Sequence, residues 1–179
     1  MTKFLGKRCD LVHKHNKPDP HTKATFAALV DAIIPSTPEL TAQYGPNMTV
    51  GGVNLGIDEF VIWELDHSLS IQMYLDLTSV PLSTPIASML DVVATTLIAS
   101  GQSKHTRHAP SFPGGGSFAA LSRKNRIRTL SLLEQIDVDL GTLPTPFTNQ
   151  ARLVISSIDV LNRYVIFGFY SEWSAYETT

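Results

Sequence analysis

The chain has 179 residues, 43% hydrophobic and 17% charged, with a formal net charge of −2. That length suits one domain able to bury roughly two thirds of its unfolded surface, and its charged fraction lies below the roughly 25% of an average globular protein. The balance excludes the clustered Lys/Arg excess of a nucleic-acid binder, and the single cysteine, Cys9, excludes an intramolecular disulfide or an iron–sulfur centre.

Residues 1–18 are polar, carry four Lys and one Arg and show no periodicity. They read as a flexible arm ahead of a domain spanning 19–179. The arm has no apolar h-region and no twin arginine, so no export or lipoprotein signal is visible and a cytoplasmic location is expected.

Asp19 followed by Pro20 is a helix start, an N-cap with proline at N1; Thr22 is the other candidate cap. Phe26, Leu29, Val30 and Ile33 then recur at i, i+3, i+4, i+7, one apolar stripe. Pro35 ends this helix by pushing Ile34 out of the helical region. Residues 35–56 hold three Pro and four Gly and read as a long loop, a length usually found where a loop is functional or lies on a partner. Within it "NMTVGGVNL" could form a short extended piece.

A second helix starts between Asn54 and Asp58. Ile57, Phe60, Val61 and Glu64 form its row, Leu65 follows, and the acidic Asp58 and Glu59 suit its first turn. The pattern predicts a broken or kinked continuation through "HSLSIQMYLDL". A third helix has Thr84 as N-cap, Pro85 at N1, a stripe of Ile86, Met89, Leu90, Val93 and Leu97, and Gly101 as its stop. Residues 101–117 form the second long loop. The fourth helix is capped by Ser122, with Ile127, Leu130, Leu133 and Ile136 facing the core; its basic run "SRKNRIR" reads as a solvated face. After the turn "GTLPTPFTN", a fifth helix covers Gln150 to Tyr170. Leu153, Val154, Ile158, Leu161 and Val165 make its stripe, while Ile155, Val160, Ile166 and Phe167 lie off it. Arg152, Asp159 and Arg163 argue against a membrane span. The expected fold is all-α, a single-domain bundle of about five helices with two long loops.

Reaction centres are hard to find. His13 and His15, and His105 and His108, could bind metal, but they sit in basic loops without the four ligands a closed site needs. Glu64, Asp66 and His67 read as a surface or capping network rather than a general base. Gly114–Gly116 lacks the strand and the G-K-[ST] ending of a phosphate loop, so flexibility explains it better. The least ordinary stretch is "YVIFGFYSEWSAYETT", with Phe167, Phe169, Tyr170, Trp173 and Tyr176 within ten positions. Either this tail folds back over its own bundle, or Phe167, Phe169, Tyr170, Glu172, Trp173 and Tyr176 form a docking surface, since Tyr and Trp concentrate at interface hot spots.

Four blocks, in order, resemble one family. "F-x-x-L-V-D-x-I-I-P" (Phe26 to Pro35) followed by Ser/Thr/Pro loop resembles the start of the gluconate 2-dehydrogenase subunit 3 family. "G-I-D-E-F-V" (Gly56 to Val61) is similar to that family's next block. "F-x-x-L-S-x-x-x-R" (Phe118, Leu121, Ser122, Arg126) is similar to its fourth-helix start, and "F-Y-S-E-W" (Phe169 to Trp173) to its aromatic ending. The resemblance implies a largely helical small subunit, not catalytic itself, that stabilises or helps mature a large FAD-dependent dehydrogenase subunit of the glucose–methanol–choline type acting on a sugar, polyol or sugar acid. In such complexes a multi-haem cytochrome subunit often takes the electrons. It implies FAD on the partner and no cofactor on this chain, and it allows a periplasmic or membrane-peripheral location. Two other readings stay open: a self-associating helical scaffold protein, and a small metal-assisted enzyme using His105 and His108.

Overall fold

The computed structural model describes residues 18–67, 71–72, 79–101 and 112–171. Five helices carry the architecture: α1 (Pro20–Ile33), α2 (Ile57–His67), α3 (Ser83–Ala99), α4 (Arg123–Glu134) and α5 (Ala151–Tyr170). Between α2 and α3, β1 (Ile71–Gln72) pairs antiparallel with β2 (Ser79–Val80), Ile71 opposite Val80. The fold is an all-α single domain. The expected arm at 1–17 lies outside the described residues.

α1 is the central helix. Asp19 caps it, accepting from Thr22 N at 3.0 Å, with Pro20 in the first turn. The predicted stripe is too narrow a description of what this helix buries. Phe26, Leu29 and Val30 are inside, and so are Thr22, Ala24, Thr25, Ala27, Ala28 and Ala32 on the other faces, whereas Ile33 is only partly covered. A helix apolar on all sides belongs in a core. The small residues let α2, α3, α4 and α5 all pack against it. Burying a side chain such as Phe26, fully enclosed here, is worth about 1.5–3 kcal/mol.

A hard stop inside a core creates a problem, because the last carbonyls of a helix have no intrahelical donors. α1 has no basic residue in its last turn. α4 sets its N-terminus against this end of α1 and supplies one such donor, while a second arginine ties the last turns down. Arg123 Nε donates to Ala32 O at 2.9 Å. The buried Arg126 donates from Nη1 to Ala28 O at 3.4 Å and to Asp31 Oδ2 at 2.9 Å, and from Nη2 to Ala119 O at 2.9 Å. Its guanidinium also lies 4.9 Å over the Phe112 ring. Two of the four basic side chains in the run expected to be a solvated face therefore tie α4 to the end of α1: Arg126, which is buried, and Arg123, which is exposed like Lys124 and Arg128 but still reaches Ala32 O.

The carbonyl just past the helix, Ile34 O, is taken by the loop. Gly52 N donates to Ile34 O at 2.9 Å, Ser36 Oγ to Thr49 O at 2.6 Å and Thr37 N to Met48 O at 2.8 Å. Residues 34–52 thus form a closed Ω-type loop with its ends pinned together. It contains short turns (Pro38–Leu40, Thr41–Tyr44, Pro46–Thr49) and leads into another at Gly52–Leu55. The extended piece expected over "NMTVGGVNL" is absent. Helical turns stand there because Gly51 N is held by Asn54 Oδ1 at 3.0 Å and both glycines pack on the Val30–Ser36 exit, where a Cβ would clash.

Three other expectations need correction. The continuation of α2 fails at 71–72, which lies in β1, and Pro81 bars helix at Val80 just before α3. α3 begins at Ser83 rather than after a Thr84 cap, because Asp66 of α2 reaches across to it: Asp66 accepts from Ser83 N at 2.9 Å and from Ser83 Oγ at 2.8 Å. On α4, Ser122 does cap and Leu130 and Leu133 are buried, but Ile127 is exposed and Arg126 takes the inward position beside it. α5 buries Val154, Ser157, Ile158, Leu161, Val165 and Gly168. A Cβ at Gly168 would stand 2.7 Å from Phe60 Cδ1, so glycine here permits the close approach of α2 and α5. Leu153 of the predicted stripe is partly covered.

Candidate partner-binding surface

The end of α5 is where the helix period and the composition conflict. Val165 and Gly168 complete the buried stripe, so Ile166, Phe167 and Tyr170 must point outward. Phe167 is 62% exposed and Tyr170 79%. Phe167 keeps one edge on the bundle, its ring centroid 6.1 Å from Phe60, and Phe60 also meets Tyr164 at 6.3 Å. Phe169 is partly covered and meets Tyr170 edge-on at 5.2 Å. One turn beyond Phe60 on α2, Trp63 is half exposed, its ring stacked on His67 at 5.1 Å. Exposed large apolar groups of this kind mark interaction surfaces when they cluster.

Of the predicted docking residues, the structure thus places Phe167 and Tyr170 on the surface and Phe169 half inside; Glu172, Trp173 and Tyr176 lie outside the described residues. Ile166 is exposed beside Phe167 on α5 and Trp63 on α2, although the sequence reading did not single them out as docking residues. Both were reachable: each falls off the buried row of its own helix. Further along α5 the outer face becomes mixed, with Arg152, Ile155 and an Asp159–Arg163 pair at 2.9 Å. α5 is 20 residues long with mean hydropathy 1.3, enough by length and composition to cross a bilayer. In the bundle its apolar stripe is instead covered by α2 and α4. The Ω-loop adds exposed Leu40, Tyr44 and Val50.

The other candidate sites have structural roles. Asp66 is the cap described above, and His67 Nδ1 lies 2.8 Å from Trp63 O. Gly115 and Gly116 are packed tightly, against the expectation of flexibility, whereas Gly114 is exposed. A Cβ on Gly115 would overlap Ala119 and one on Gly116 would overlap the Asp91 carboxylate. Asp91 ties that turn to two helices: its Oδ1 accepts from Phe118 N at 2.8 Å and its Oδ2 lies 2.5 Å from His21 Nε2. Lys23 and Glu59 pair at the surface between α1 and α2, which raises the Lys23 pKa, chiefly through their hydrogen bond. His13, His15, His105 and His108 lie outside the described residues. Among the described residues no three His, Cys, Asp or Glu side chains are grouped to hold a metal ion.

No protein-family model, curated protein or solved structure matches the chain.

Proposed function

We propose that this chain is a small, non-catalytic subunit that binds and stabilises, or helps mature, a large FAD-dependent dehydrogenase subunit acting on a sugar, polyol or sugar acid. The observation that carries the reading is the outward aromatic end of α5, with Phe167 and Tyr170 presented from a rigid helix. Rigid aromatic side chains are the usual anchors of protein interfaces. The resemblance to the gluconate 2-dehydrogenase subunit 3 family supports the class of partner, and its blocks have coherent places in this bundle. Asp31 of the first block meets Arg126 of the third. Ile57 and Phe60 of the second receive Gly168, one residue before the fourth. In this reading FAD belongs to the partner, a cytochrome subunit can complete the assembly, and the aromatic surface is a contact and not a reaction centre.

The test is a pull-down of the tagged full chain from its native cell, with an absorbance spectrum of the eluate. A flavin spectrum with a large co-purifying chain is the expected result. A colourless eluate holding this chain alone would overturn the reading. The same aromatic surface would then serve self-association, and light scattering would return a defined homo-oligomer.

A further inference from the structure

A cleft of about 350 Å3 opens between the second half of α3 and the segment joining α4 to α5, on residues the aromatic surface does not use. Its floor is aliphatic, from Val92, Val93 and Leu97 of α3 with Leu132 and Val138 opposite. Its polar side chains share one property. The hydroxyls of Thr96, Ser100 and Thr142 already donate to backbone carbonyls, Val92 O at 3.1 Å, Leu97 O at 3.0 Å and Asp139 O at 2.7 Å. What they offer the cleft is oxygen lone pairs. Asp137 and Asp139 add carboxylates, one oxygen of Asp139 being held by Gly141 N at 2.9 Å. The polar side chains of the lining therefore present acceptors over an apolar floor.

The wall bearing those carboxylates is set by an unusual residue. Ile136 follows α4 with φ 55°, a left-handed conformation that a β-branched residue rarely adopts. It closes α4 through Ile136 N to Leu133 O at 3.2 Å and Asp137 N to Leu132 O at 2.9 Å. That reversal brings 137–139 alongside α3. Strained backbone of this kind tends to sit where a structure shapes a binding site, and an apolar pocket with a few convergent polar groups is the usual form of a small-ligand site.

We propose that this cleft binds an organic ammonium group on an apolar stem, carried by a free amine or by a lysine side chain. The stem lies along Val92, Val93, Leu97 and Leu132, and the ammonium donates to Asp137, Asp139 and the hydroxyl oxygens. The proposal is independent of the accessory-subunit reading.

The full chain is titrated with n-hexylammonium chloride and, separately, with 1-hexanol and sodium hexanoate, and backbone amide shifts are followed by nuclear magnetic resonance. Hexylammonium is expected to shift Val93, Leu97, Ser100 and Val138 saturably, and hexanol to bind about tenfold more weakly, the size of one lost charge-assisted hydrogen bond. D137N, which leaves the Asp139–Gly141 contact of the turn in place, should weaken hexylammonium by a similar factor while leaving the fold intact; D137N/D139N should weaken it further. Nα-acetyl-lysine amide is the second arm. If it binds as well, a protein lysine is the source; if only hexylammonium binds, a free amine is. Equal binding of hexanol and hexylammonium, insensitivity to D137N, or no saturable shift in the cleft would overturn the proposal.

Discussion

Arg126 of α4 and Asp31 of α1 meet at 2.9 Å across 95 positions of sequence, and the arginine's side chain is 6% exposed while the aspartate's is 36%. The pair is asymmetric. Burial draws the guanidinium below its ordinary pKa, and Asp31 draws it back up. Three other acceptors or surfaces share the same guanidinium: Ala28 O, Ala119 O and the Phe112 ring.

Arg126→Lys tests this. An ammonium keeps the charge but cannot reach Asp31, Ala28 O and Ala119 O together in the planar fork that Arg provides. Losing hydrogen bonds of a buried cation costs about 2–3 kcal/mol, which for this chain length lowers Tm by roughly 4–12 °C. Asp31→Asn should cost less, about 1 kcal/mol, because Asp31 is partly solvated. Thermal unfolding followed by circular dichroism checks both; equal costs would mean that the ion pair, not the carbonyl contacts, dominates.

Gly116→Ala gives a second stability test. Its Cβ would overlap the Asp91 carboxylate, which holds Phe118 N and faces His21, so the new methyl displaces a joint between α1, α3 and the turn before α4. Overpacking of this kind costs about 1–3 kcal/mol. A variant as stable as the parent in urea would show that the turn has the freedom its glycine run suggests.

These two sites show what was legible in the sequence. The bounds of α1 were readable because its signals are local: Asp19 and Pro20 at one end and Pro35 at the other. α4 was read with Ile127 inward because periodicity ranks an isoleucine above an arginine as core. The winning demand is tertiary: Asp31 of α1 and Ala119 O both point at this position and need a donor, so Arg126 turns in and Ile127 turns out. The start of α3 was misplaced for the same kind of reason, since its cap is Asp66, on another helix. The glycine run read as loose because nothing in its own neighbourhood announces Asp91. At the candidate surface, the aromatic excess of the C-terminus was visible, and the α5 register then decided that Phe167 and Tyr170 face out while Phe169 is half covered.

Asp58 predicts a pH dependence. Burial raises its carboxyl above the ordinary 3.8, with the neighbouring Glu59 adding to this; the N–H groups of Asp58 and Glu59 and the charge of Lys23 oppose it. A carboxyl whose folded pKa is raised holds its proton more tightly in the folded chain. Its contribution is full below the unfolded value of 3.8 and is lost as pH rises through the higher folded value. Asp58→Asn stays neutral throughout, so its Tm should exceed the parent's at pH 7 and converge with it near about pH 3. Asp19, lowered chiefly by its Thr22 hydrogen bond, titrates the other way but is common to both proteins and cancels in the difference. A lower Tm for the variant at pH 7 would mean that the anion's interaction with the α2 N-terminus outweighs burial.

Phe167→Ser and Tyr170→Ser separate docking from folding. Tyr170 is largely exposed, so its loss should change stability by no more than about 0.5 kcal/mol. Phe167 has one edge on Phe60, and its loss should cost about 1 kcal/mol. If the end of α5 anchors a flavoprotein, each substitution should nevertheless weaken capture by about 2 kcal/mol or more, roughly thirtyfold in affinity. Trp173→Ala extends the test past the described residues, and the same loss is expected. Capture that survives all three substitutions in folded protein would move the contact elsewhere. If Trp173→Ala instead leaves capture intact and lowers Tm, the C-terminal aromatics belong to the bundle's own core, and the docking surface shrinks to what α5 presents.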